Sequence, residues 1–111
     1  MISKKLIVSA MLVACSAHAE FRDGNKLLAD INSTSVVDNA IVLGYVMGIA
    51  DLTLGIAHCG PPNVTSGQIR DMVQNYLNNK PVERTKTGDE IVMYVLKTAW
   101  PCQAKGRGQS L

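Results

Sequence analysis

This sequence predicts an all-α domain, a small four-helix bundle closed by one disulfide. Four segments carry apolar residues at helical spacing, and no stretch of useful length alternates apolar and polar residues as a half-buried strand would. A leader-like N-terminus further leaves Cys59 and Cys102 as two thiols in a compartment where thiols pair. With 111 residues, 47% of them apolar and 5% aromatic, the chain has room for one small domain and none for a large catalytic scaffold.

The leader comes first in the chain. Met1 to Lys5 is a cationic start, Leu6 to Ala14 an apolar run, and Ala17-His18-Ala19 a small-x-small cleavage site. Residues 1–19 therefore read as a signal peptide cut after Ala19, and residues 20–103 as the domain. The apolar run is too short to span a bilayer at roughly 1.5 Å per residue. Leu12-Val13-Ala14-Cys15 also has the shape of a bacterial lipobox, in which Cys15 would be lipidated and tether the domain to a membrane. Both routes export the domain, so the periplasm is the expected compartment, and both take Cys15 out of the pairing. Cys59 and Cys102 are then expected to bond, and the chain-entropy model values the closed loop of roughly 43 residues at about 4 kcal/mol.

The first helix is short. Asn25 is a cap candidate, Leu27, Leu28 and Ile31 form its apolar face, and the polar cluster Asn32 to Ser35 ends it. The second and longest is expected from Val36 to about Ala57, with Ser35 as N-cap and Asp38 complementing the dipole in the first turn. No charge interrupts Ala40 to Ala50, and Ala40, Gly44 and Gly48 follow at four-residue steps along one side. An interior glycine costs about 1 kcal/mol relative to alanine. Gly44, Gly48 and Gly55 therefore predict a close helix crossing, either inside the domain or between two copies, and Ala40, Gly44 and Gly48 are the candidate homodimer interface. Asp51 and His58 break the apolar pattern, which argues against a membrane span. Asp51 needs a partner or water, and His58 suits a helix C-terminus.

Gly60-Pro61-Pro62-Asn63 forces a turn, because two prolines remove donors and fix φ. Thr65-Ser66-Gly67-Gln68 reads as a capping box for a third helix, on which Ile69, Met72, Val73, Tyr76 and Leu77 share one face. It stops at Asn78-Asn79-Lys80-Pro81. Thr87-Gly88-Asp89-Glu90 repeats the capping-box pattern before a fourth helix with Ile91, Val92, Val95, Leu96 and Ala99 on its apolar stripe. Trp100-Pro101-Cys102 ends that helix. Residues 104–111 lack periodicity and are expected to form a disordered tail.

Charge and donor chemistry exclude several functions. Lys4 and Lys5 belong to the leader, so nine cations face nine carboxylates in the rest of the chain, without a basic stripe for nucleic acid. The mature domain holds a single histidine, His58, beside a cysteine committed to a disulfide, so no zinc set and no Cys-His nucleophile can be assembled. Asp89 and Glu90 are accounted for by helix capping. No catalytic residue, metal or cofactor is expected, and the protein does not read as an enzyme. What remains is surface. The loop with Gly60, Pro61, Pro62 and Asn63, stiffened by its prolines and the adjacent disulfide, would lose little entropy on docking to a protein. The connection with Lys80, Glu83, Arg84 and Lys86 is the second candidate partner-binding element.

Gly24-Asn25-Lys26-Leu27-Leu28, the stretch from Gly44 to Asp51, the stretch from Cys59 to Gln68 and Trp100-Pro101-Cys102 occur in the order seen in one family. With Gln68 to Val73 and Tyr76-Leu77 added, the chain resembles the Rap/Tai immunity proteins of type VI secretion systems along nearly the whole mature domain. The chain departs from many relatives at Ile31, where they carry a cysteine, and at Thr85, where they carry a histidine. The resemblance implies a small periplasmic helical protein, often dimeric, that blocks the active site of a peptidoglycan-cleaving amidase effector. The competing classes are a small periplasmic chaperone of the acid-stress type and an envelope structural protein, the latter lipidated at Cys15.

Overall fold

A computed structural model describes residues 21–103. The predicted signal peptide, including Cys15 and the cut after Ala19, and the predicted tail 104–111 lie outside the described residues. Four helices form: α1 (Gly24–Asn32), α2 (Val36–Thr53), α3 (Ser66–Asn79) and α4 (Gly88–Ala99), with a 3-10 turn (Pro81–Thr85) between the last two. Among the described residues there is no strand beyond two isolated backbone bridges.

α2 is the central element and packs against the other three helices. Val42, Val46 and Ala50 on its inner side meet Leu27 of α1, Ile69, Val73 and Leu77 of α3, and Ile91, Val92, Val95 and Leu96 of α4. These four- and three-residue spacings give each helix one buried stripe. Burying Leu27, Leu77, Ile91 and Leu96 completely contributes roughly 1.5–3 kcal/mol each. Ala99 is the exception on α4 and is exposed.

The local signals decide most helix starts. Ser35 Oγ accepts from the Asp38 amide at 3.3 Å, and Ser33 Oγ donates to the Asp38 carboxylate at 2.7 Å. At α3 the capping box is complete: Thr65 Oγ1 accepts from the Gln68 amide (3.1 Å) and Gln68 Oε1 accepts from the Thr65 amide (2.8 Å). Two starts differ from expectation. Asp23, not Asn25, caps α1, its carboxylate accepting from the Lys26 amide at 2.9 Å. Thr87 is the N-cap of α4 but makes no side-chain cap bond. The cause of both is a backbone pairing of the N-terminal segment with the residues before α4: the Gly24 amide donates to Lys86 O (3.0 Å) and the Gly88 amide to Arg22 O (2.6 Å). Both glycines are required there, since a Cβ on Gly24 would lie 2.8 Å from the Arg84 backbone and one on Gly88 2.6 Å from Tyr45 Oη.

α2 ends at Thr53, four residues before the expected boundary. Gly55 adopts φ +80°, a left-handed conformation that continues no helix. Thr53 O gathers the amides of Ile56 (3.0 Å) and Ala57 (2.9 Å), and the Gly55 amide donates to His58 O at 2.7 Å. Gly55 therefore serves a tight turn rather than a helix crossing.

Near the other end of α2, one buried charge is matched. Asp30 is 4% exposed and pairs with Arg22 and with Lys26, the latter at 3.2 Å. Arg22 also lies 5.7 Å over the Tyr45 ring. Burial raises the Tyr45 pKa, the Asp89 carboxylate adds to the rise, and Arg22 opposes it.

Candidate functional site

The disulfide forms as the cysteine count requires, with Cys59 and Cys102 Cα atoms 4.9 Å apart. It ties the end of α4 to the chain leaving α2. The Cys59 amide adds a bond to Trp100 O at 2.8 Å, so the staple is doubled by the backbone. From this corner Pro61, Pro62 and Asn63 project into solvent. Gly60 lies against Trp100, where a Cβ would come within 3.1 Å of the ring.

His58 holds the other side of the corner. It is 4% exposed, its Nε2 is 2.9 Å from Ala50 O, and its Nδ1 accepts from the Gly60 amide at 3.2 Å. A backbone N–H can only donate, so the neutral ring carries its proton on Nε2 and gives it to Ala50 O, a carbonyl that the early end of α2 leaves without a helical partner. Sequence reasoning placed His58 at a helix end but missed that its ring fixes the loop. The adjacency His58-Cys59-Gly60 was the available signal.

Two surface clefts flank the corner. One, of about 480 Å³, runs between the Pro61–Val64 segment, α3 and Trp100. A smaller one of about 130 Å³ lies against His58, with Asp51 at its edge. Asp51 is exposed to solvent, so water solvates the carboxylate.

The second candidate element is built differently. Lys80 to Lys86 is wound into the 3-10 turn, where Lys86 Nζ bonds Glu83 at 3.1 Å. Hydrogen bonding to Glu83, reinforced by its charge, raises the Lys86 pKa. Arg84 turns inward and donates through Nε to Leu77 O at 2.7 Å, so a change there tests folding as much as surface chemistry. Lys80, Glu83 and Lys86 line a groove of about 420 Å³ floored by Tyr76 and Tyr94, whose ring centres are 5.4 Å apart.

The two candidate elements are not brought together: one sits at the disulfide corner, the other beyond the C-terminal end of α3. The small residues of α2 occupy a third face. Ala40, Gly44 and Gly48 are exposed, and no atom lies within 4 Å of a Cβ built on either glycine. No helix of the described chain crosses there. Around them Val37 (65% exposed), Ile41 (46%) and Leu52 (77%) form a continuous apolar arc. By length and composition α2 would pass for a membrane span, although its inner side packs in the bundle.

Among the described residues no group of three His, Cys, Asp or Glu side chains converges to hold a metal. The family model for Rap1a immunity proteins matches residues 10–102, a range that takes in all four helices, the disulfide and both candidate elements. No curated protein matches the chain.

Proposed function

The chain belongs to the Rap1a immunity protein family, and on that premise we propose that it is a periplasmic immunity protein that binds and inhibits a peptidoglycan amidase effector of type VI secretion. The single observation that carries the binding mode is the stapled corner. Pro61, Pro62 and Asn63 are exposed, while the disulfide, the Cys59–Trp100 backbone bond and the His58–Gly60 bond fix the residues on which they stand. A segment held in this way enters an enzyme cleft without the ordering cost of a free loop. The 3-10 turn with Lys80, Glu83 and Lys86 adds a charged contact on the effector's rim. The protein itself performs no chemistry; it occludes.

Self-association is part of this proposal. The open arc of α2 is apolar, and its small residues let the backbone of a second α2 come close, so two copies would pack through Ala40, Gly44 and Gly48. Gly48→Leu should dissociate such a dimer.

The test is co-expression. Cells receiving a periplasmic amidase effector of the matching type should survive only when this protein is exported with it. Pro62→Glu should lower affinity for the purified amidase at least tenfold, as should Glu83→Lys if the 3-10 turn touches the rim. If a panel of such amidases stays fully active and unbound, while the protein keeps unfolded clients soluble at acidic pH, the apolar face of α2 belongs to a chaperone instead.

A further inference from the structure

We propose that His58 is a proton switch that sets the conformation of the Gly60–Asn63 loop. The two ring nitrogens have opposite duties: Nε2 donates to Ala50 O, and Nδ1 accepts from the Gly60 amide. Acid adds a proton at Nδ1, and the acceptor becomes a donor that faces another N–H at 3.2 Å. The contact cannot survive as a hydrogen bond, so one side must give way. The ring is the fixed side, because its bond to Ala50 O becomes charge-assisted in the imidazolium. Cys59 is also fixed, by Cys102 and by its amide bond to Trp100 O at 2.8 Å. Gly60 is therefore the residue that moves, and it carries Pro61 and Pro62 with it.

The surroundings of the ring leave one other charge to consider. Asp51 on α2 edges the cavity against His58; the loop contributes prolines, α3 contributes Ile69, and the end of α4 contributes Trp100, none of which titrates. Asp51 is exposed to solvent and makes no bond to the ring, whose two nitrogens are taken by Ala50 O and the Gly60 amide. For an inhibitor the result would be a lower affinity in acid. That consequence rests on the loop reading above; the switch itself does not.

The test needs no effector. In the exported protein, the His58 ring protons and the Gly60 amide are followed by NMR from pH 8 to pH 5, together with the emission of Trp100, the sole tryptophan. All three should change with one midpoint and recover on return to pH 8, with protection of the Gly60 amide from exchange falling at least tenfold across the range. Asp51→Asn should keep the transition. His58→Gln offers a donor and an acceptor but takes up no proton, and should abolish the transition. A wild-type ring that titrates while Gly60 and Trp100 stay unchanged overturns the proposal, as does a pH response retained in a folded His58→Gln protein. If that variant does not fold, the wild-type comparison decides alone. Failure to inhibit any amidase would leave a positive result standing.

Discussion

Replacing Gly44 and Gly48 with alanine should make the isolated chain more stable and its self-association weaker. Both glycines lie inside α2, and a methyl group at either position meets no atom within 4 Å, so no steric cost offsets the gain in helix propensity. Glycine is less favourable than alanine by about 0.8–1.0 kcal/mol in a helix interior, which gives the double variant about 2 kcal/mol. For a domain of this size each kcal/mol moves Tm by about 4–8 °C. The assay is thermal or urea unfolding of wild type and double variant over a wide range of protein concentration. At high dilution the variant should be the more stable protein. As concentration rises, the wild type should gain stability by mass action and the variant should not, because added methyl groups hold two α2 backbones apart. A variant no more stable than wild type at dilution would refute the open-face geometry. An equal gain at every concentration would refute the interface.

Three further outcomes follow from the described contacts. Thr65→Ala should destabilise by about 1 kcal/mol through loss of the α3 capping box, whereas Thr87→Ala, which breaks no side-chain cap bond, should stay within about 0.5 kcal/mol of wild type in urea titrations. Reducing the Cys59–Cys102 bond should cost about 4 kcal/mol, measured as a lower unfolding midpoint with reductant present. Tyr45 has its pKa raised in the fold, first by burial and then by Asp89, so its stabilising effect is complete below the ordinary phenol value of 10.0 and is lost as pH climbs through the higher folded value. Tyr45→Phe should therefore unfold less steeply with alkali than wild type, and ultraviolet titration should show one late phenol fewer.

The parts of the fold written in short-range chemistry were legible. The α3 start depends on residues three apart, so Thr65 and Gln68 announced it, and the stripe Ile69, Val73, Leu77 needs only the helical period. The end of α2 was not legible, because nothing in Leu54 to Ala57 forbids a helix. It is set by the left-handed Gly55 and by an imidazole that returns from His58 to take Ala50 O. The caps of α1 and α4 were misjudged for a similar reason: Asn25 and Thr87 are competent caps, but the pairing of residues 22–24 with 86–88 decides which groups are used. At the candidate site the cysteine arithmetic located the staple and the prolines the loop. The inward turn of Arg84 and the double bonding of His58 depend on distant carbonyls and left no trace in spacing. The small-residue face of α2 was visible in the sequence, yet only the helix arrangement shows that the described residues leave it uncovered.

The pairing of residues 22–24 with 86–88 also bears on how the chain is made. A ribosome or a translocation channel releases the N-terminal segment well before the start of α4, and Cys102, the partner of Cys59, later still. The backbone pairing at the start of α1 therefore waits until residues 86–88 have emerged. Contacts so distant in sequence slow folding. If the chain is exported as proposed, threaded through a membrane in extended form, that delay would keep it transportable until α4 has followed.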